Sequence, residues 1–509
     1  MRLRQVVGCG MVVCLCSVVG TASAQSDPIG IPKWAAEVHR LALKVDDTGS
    51  PSPSTGVFPS VIPQVLQNPD STGVVETFNT GGTTDTSNNP FFQSLGTNGR
   101  ACATCHEPRS AWGVSVSSIQ QRFNASDGTD PIFRLVDGAT CPSDDVSTLA
   151  AKREAYKLLL SKGLIRIFLP LPATQLGTAT PRDYEITGFT DPYGCTDLLA
   201  DPPIVSIYRR PLPSANLRFL IECPPGQPGC APITIMWDGR EPSLQSQSID
   251  ATLGHAQGTH QPTDAQVTQI VNFETGIFDA QEFDHDAGNL HARQATGGPA
   301  ALSQQQFFIG INDSLSPGFT SDIFTLYDPW ENLPAGGLNA ARGSVARGEI
   351  LFNTKPITIN GVNGLNLFAS DPLGANTIVG TCGTCHDSPN VGNHSKKLQL
   401  NIGITDETPP VLDVSGLPTF TVQCTETVGP LAGLVFHVTD LGRALISGRC
   451  ADVGKTKGPI LRGLAARAPY FHNGSAATFD DVVNFYDQRF GIGFTDQEKA
   501  DLIAFLETL

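Results

Sequence analysis

Cys102-Ala103-Thr104-Cys105-His106 and Cys382-Gly383-Thr384-Cys385-His386 are two copies of one pattern, Cys-x-x-Cys-His, about 280 residues apart. Two thiols separated by two residues can each form a thioether to one of the two vinyl groups of a porphyrin. The histidine that follows then stands beneath the iron as proximal ligand. A zinc site made of two Cys-x-x-Cys pairs, or two redox disulfides, would use the cysteines but has no need of a histidine directly after each second one. The spacing therefore predicts two covalently bound haem c groups. Cys102, Cys105 and His106 hold the first, and Cys382, Cys385 and His386 hold the second.

Around these motifs the chain reads as an exported protein. Arg2 and Arg4 precede an apolar run that ends at Ala22-Ser23-Ala24, the pattern of a secretory signal over residues 1–24. This predicts a periplasmic location, and no later stretch is long and apolar enough to span a bilayer. The formal charge of -16 becomes -18 once Arg2 and Arg4 are removed, which argues against nucleic acid as a partner. Of 13 cysteines, three lie in the signal and four in the haem motifs. The remaining six are Cys141, Cys195, Cys223, Cys230, Cys424 and Cys450, an even number that in an oxidising compartment suggests up to three disulfides. Cys223 and Cys230 flank a Pro- and Gly-rich turn that a bond between them would close. The other pairings stay open.

Residues 46–89 are rich in Gly, Ser, Thr, Pro and Asn and show little periodicity, so they read as an extended arm without a core of their own. The interval from His106 to Trp237 carries Pro-rich turns and one amphipathic helix near Ser147 to Lys162, and it reads as an insertion. Val345, Ile350, Leu351 and Phe352 fit a helix ending near Pro356. Thr478 with Asp481 and Thr495 with Glu498 mark the starts of two C-terminal helices. Helices and loops dominate this reading, with few convincing strands.

Without the signal the chain has a single methionine, Met236, outside the second haem segment. The His/Met ligation usual in electron-transferring cytochromes c is thereby nearly excluded for the second haem.

Pro90-Phe91-Phe92, Trp237-Asp238-Gly239-Arg240 with Gln247, Arg347-Gly348-Glu349-Ile350-Leu351-Phe352, and Leu461-Arg462-Gly463-Leu464-Ala465 leading to Pro469-Tyr470-Phe471-His472-Asn473-Gly474 occur in that order. Together with the haem motifs they resemble the bacterial dihaem cytochrome c peroxidase superfamily, which includes the methylamine-dehydrogenase-maturing enzyme MauG. The resemblance covers a little over half the chain. It implies a mainly α fold of two cytochrome-c-like haem domains with long loops and an insertion in the first. The expected boundaries are an arm at 25–89, an N-terminal haem domain at 90–338 with the insertion at about 115–205, and a C-terminal haem domain at 339–509.

By the same resemblance the His106 haem is the high-spin peroxide site, the His386 haem is low-spin, and Trp237 lies between them. The second axial ligand position of the His386 haem, methionine in the peroxidases and tyrosine in the maturing enzyme, falls at Tyr486. The implied activity is reduction of hydrogen peroxide with the oxidising equivalents shared between both haems, a bis-Fe(IV) type of arrangement. Its implied partner is a small periplasmic electron donor or a protein substrate. Gln247 falls on the distal glutamine position, whereas the catalytic glutamate position is occupied by Gln257, a departure that leaves His255, His260 and Glu274 as nearby acid-base groups. A calcium ion between the domains is implied through the carbonyls of Arg467 and Pro469, although Pro211 stands where the family has an asparagine. The rival readings are a MauG-like oxidase acting on a partner protein, a dihaem electron-transfer protein, and an oxygenase like the dihaem rubber-cleaving enzymes.

Overall fold

The computed structural model describes residues 33–47, 58–172 and 181–509. The segment 1–24, expected to be a secretory signal, lies outside the described residues.

Each haem motif forms one 3₁₀ turn, Cys102–Thr104 and Cys382–Thr384. The third residue of each turn closes it in the same way. Thr104 Oγ1 accepts from the Ala101 amide at 2.9 Å, and Thr384 Oγ1 from the Thr381 amide at 3.0 Å. A threonine at that position satisfies an amide that the short helix itself cannot.

Around the second motif, the helix Leu338–Thr354 packs against the C-terminal helix Asp496–Glu507. The contact is close at Gly348, where a Cβ would stand 2.0 Å from the Asp501 carbonyl oxygen. Val345, Ala346 and Phe352 meet Leu502, Phe505 and Leu506 in a core that also takes in Phe324 and Trp330. Ile350 is exposed, so the apolar face is narrower than the sequence pattern implied. Both C-terminal helices begin with reciprocal caps, Thr478 with Asp481 and Thr495 with Glu498.

Strand is more prominent than the sequence reading anticipated. Gly73–Asn79 pairs antiparallel with Val65–Pro69 on one side and with Ile277–Asp284 on the other. Residues expected to form a coreless arm thus carry buried Val75 into a sheet whose other half lies some 200 residues on. Gly73 is required there, because a Cβ would overlap the Phe283 carbonyl.

The insertion is likewise integrated. Its expected helix is two, Leu149–Ala155 and Lys157–Lys162, broken at Tyr156. The strand Tyr184–Thr190 pairs with Thr419–Cys424 of the C-terminal half, so the two regions share one core. Three disulfides, Cys141–Cys195, Cys223–Cys230 and Cys424–Cys450, use the six cysteines outside the haem motifs and the signal. An antiparallel strand pair, Ile165–Pro170 with Ile204–Arg209, leads directly into the segment between the two haem motifs' cavities.

Candidate haem sites

Two cavities open on the two motifs. Cys102, Cys105 and His106 line the first and Cys382, Cys385 and His386 the second. These four cysteines are the unpaired ones among the described residues. Each histidine is oriented by a carbonyl six residues on. His106 Nδ1 lies 3.0 Å from the Trp112 oxygen and His386 Nδ1 2.7 Å from the Gly392 oxygen. An Nδ1–H donated to a carbonyl leaves Nε2 with its lone pair for a metal. Burial pushes His106 down to about 4 and lowers His386 too, so both rings are neutral, as ligation requires.

The walls suit a porphyrin. Ile165, Ile167 and Leu220 line the first cavity, and Phe352, Leu400 and Ile402 line the second. Buried cations face both spaces. Lys457 lines both cavities, is pushed down to about 8 by burial, and forms no ion pair among the described residues. Arg462 lines the first with Nε and Nη2 unpartnered, and Arg240 Nε there is unpartnered as well. Buried donors without acceptors are costly, and a ligand bearing carboxylates would supply the acceptors. Free thiols, neutral imidazoles, apolar walls and orphaned cations together fit haem c.

Arg210, Pro211, Leu212, Pro213, Trp237 and Lys457 line both cavities and form the wall between them. Trp237 is 9% exposed, and its Nε1 donates to the Arg210 carbonyl at 2.8 Å. Its ring stands edge-on to His472, centroids 6.0 Å apart. The next residue, Asp238, anchors the turn. Burial raises its carboxyl, but Arg240 and Arg209 outweigh that and hold it down at about 2. Arg209 also pairs with Asp440 of the C-terminal half. The wall carrying Trp237 is therefore fastened to both halves of the chain.

Tyr486, on the helix Phe479–Phe490, lines the second cavity among Phe471, Phe485 and Phe490. Its hydroxyl makes no hydrogen bond within the described residues. Burial, and then the nearby Cys385 and Cys382 thiols, raise its pKa. His472 lines the same cavity, whereas His437 is exposed on the strand Val435–Val438 and outside it.

At the first cavity the helix Leu244–Gly254 presents Gln247, Ser248, Ala251 and Thr252, and its C-cap His255 continues that face. His260 is exposed and outside the cavity. Gln257 also turns away. Its amide donates to the carbonyls of Ala42 at 2.7 Å and Val45 at 2.9 Å, tying down the helix Lys33–Ala42. Glu274 lines the cavity fully buried, with Oε2 unpartnered, and burial pushes it up to about 8.

At the Arg467 carbonyl, one of the two implied for calcium, a cation of the chain itself is present. The Arg210 guanidinium already stands there, donating to the carbonyls of Arg467 at 2.6 Å, Val114 at 2.7 Å and Lys162 at 3.2 Å. A fixed organic cation fills the carbonyl cage. Among the described residues no group of three or more His, Cys, Asp or Glu side chains could hold a metal ion.

His394 was missed in the sequence. It is buried on the second cavity, with Nδ1 3.0 Å from Asp387 and Nε2 unpartnered. Its position eight residues after His386 carries no motif.

No protein-family model matches the chain. The cytochrome-c peroxidase IdrP2 of Denitromonas iodatirespirans is 36% identical over 137 residues, 26% of this chain and 36% of that protein. The cytochrome-c peroxidase IdrP1 of Pseudomonas sp. (strain SCT) is 26% identical over 291 residues, 54% of this chain and 64% of that protein. The matches thus span less than two thirds of either relative's length. A crystal structure of a MauG-like protein associated with microbial copper homeostasis aligns over 83% of this chain and 86% of that one, with 15% identity and a TM-score of 0.35, too low to carry an argument.

Proposed function

We propose that this chain, which belongs to the bacterial dihaem cytochrome c peroxidase superfamily, reduces hydrogen peroxide in the periplasm at a haem held by Cys102, Cys105 and His106. Cys382, Cys385, His386 and Tyr486 would hold a second haem, which would supply a store for an oxidising equivalent. The observation that carries this reading is the common wall. One buried indole, Trp237, lines both cavities and is fixed by its own N–H to a backbone carbonyl.

Haem c, when bound, supplies the redox-active iron at which peroxide binds and the O–O bond is cleaved. The rest is done by the chain. His106 and His386 present Nε2 because carbonyls hold their Nδ1–H groups. Gln247 lines the first cavity and would offer its side-chain amide to a bound peroxide. The apolar walls exclude bulk water, and Trp237 gives electrons a rigid aromatic path between the centres. Tyr486 would supply an oxygen ligand, which would favour oxidised iron and lower the reduction potential of the second haem.

Among the described residues no helix is long and apolar enough to cross a membrane. Electrons come from a small periplasmic donor. A protein substrate is the second reading, favoured by Tyr486 at the position that is tyrosine in the maturing enzyme.

The test mixes the fully ferric holoprotein, two haems per chain by pyridine haemochrome, with one equivalent of hydrogen peroxide. Rapid optical change at both haems without prior reduction is expected. One haem per chain, or no reaction until an electron is added, would sink the proposal.

A further inference from the structure

The position at which the resemblance implies an acid-base glutamate holds Gln257, and that side chain is spent on clamping the helix Lys33–Ala42. The first cavity nevertheless contains a group suited to moving a proton. His255 lines it, and its Nδ1 lies 2.5 Å from Asp137 Oδ2. Asp137 is itself buried, 1% exposed, and its other oxygen is paired with Arg100 Nη1. The Arg100 guanidinium also donates to the carbonyls of Pro131, Ile132 and His255. One arginine therefore fixes the carboxylate and the backbone of the histidine that the carboxylate holds.

A carboxylate accepting from Nδ1–H sets the imidazole tautomer, leaving Nε2 as a base within the cavity. Ser248, Ala251 and Thr252 on the same helix face line the cavity beside it. His255 and His106 line the same cavity. Glu274 lines the same cavity but among the described residues has no carboxylate or cation holding it as Asp137 holds His255.

Asp137 comes from the insertion, not from the segments that carry the family resemblance. The backbone on either side of it is pinned by the strand Ile165–Pro170. The Arg166 amide donates to the Asp137 carbonyl at 2.7 Å and Arg166 Nη2 to the Val136 carbonyl at 2.9 Å.

We propose that the insertion completes the acid-base apparatus of the peroxide site: His255 is the proton-transfer group and Asp137, from the insertion, the residue that positions it, in place of the missing glutamate. This rests on the peroxidase reading above. His255 Nε2 takes the proton from the peroxide oxygen that binds the haem and gives it to the other oxygen. That oxygen departs as water with the electron pair of the broken O–O bond, and the haem centres supply the two electrons.

Two readouts test this on the ferric holoprotein: the rate of the first optical change with hydrogen peroxide, and the association rate of cyanide. Cyanide binds as the anion, so hydrogen cyanide must surrender its proton to a base without any turnover. His255→Gln leaves the Arg100–Asp137 pair intact and should slow both rates by ~10²- to 10⁴-fold, with haem content and resting spectrum unchanged. Asp137→Asn should slow both by ~10- to 100-fold, the usual effect of removing a partner that orients an imidazole. Asp137→Glu should restore most of that loss.

Unchanged cyanide association in His255→Gln overturns the proposal, and so does an equal loss in Glu274→Gln. A resting spectrum that turns from low-spin to high-spin in His255→Gln overturns it too, since His255 would then be an iron ligand. Native protein inert to peroxide whose cyanide association still depends on His255 would remove the peroxidase reading and leave the dyad standing.

Discussion

On the proposed reading, Tyr486 is the residue on which the character of the second haem turns. Its ring is held by Phe471, Phe485 and Phe490, so Tyr486→Phe removes only the hydroxyl and should cost less than ~0.5 kcal/mol of stability. The same change should alter the low-spin spectrum and raise the reduction potential of that haem, as spectroelectrochemistry will show. An unaltered spectrum would point to His472, which lines the same cavity, and not to exposed His437. The place of Tyr486 on the second cavity was legible because that segment has no methionine and because the family resemblance puts a ligand position there. The haem cysteines and histidines were legible because they are close in sequence. Asp137, His394 and Lys457 were not. Asp137 acquires its role from His255, 118 positions away, and Lys457 from cavities that remote segments build, whereas His394 pairs with nearby Asp387 but sits in no motif.

Elements differ in the same respect. The helix Leu338–Thr354 and the two capped C-terminal helices were readable, because periodicity and caps are local. The strand Gly73–Asn79 was not, since its outer partner Ile277–Asp284 is remote and a short two-sided strand leaves little alternation. Nor was the segment between the cavities, where Arg210 occupies a cage of three carbonyls. Chelation with EGTA should therefore leave both haem spectra and the thermal midpoint of the native protein unchanged. Arg210→Met keeps much of the side-chain length but leaves those carbonyls buried without a donor, at about 1–3 kcal/mol each. A lowered midpoint in urea, with the Trp237 wall loosened, is the expected result. Loss of both haem signals on chelation of the native protein would show that a metal, not the guanidinium, holds the wall.

Across the whole molecule, buried carboxyls set how stability depends on pH. Glu349 accepts from the amides of Leu326 and Tyr327 in the C-terminal core, yet burial outweighs those bonds and pushes it up to about 8. Burial likewise pushes Glu241 and Glu507 up to about 7. In each case the folded chain keeps a proton that the unfolded chain releases near its ordinary value of 4.5. The folded state then binds more protons, so stability falls as pH rises from about 4.5 through about 7 to 8. His472 acts in the opposite sense at the acid end. Burial pushes it down to about 4, so the unfolded chain takes up a proton below its ordinary 6.5 that the folded chain refuses, and stability falls as pH drops from 6.5 to about 4. The two trends place the maximum near mildly acidic pH. Urea unfolding of the holoprotein between pH 5.5 and 8.5 should show a midpoint that declines toward alkaline pH. Glu349→Gln cannot ionise and should flatten that decline by up to one proton's worth, ~1.4 kcal/mol per pH unit within its window. A decline as steep in Glu349→Gln as in the native protein would mean that this carboxyl is ionised in the folded core at neutral pH.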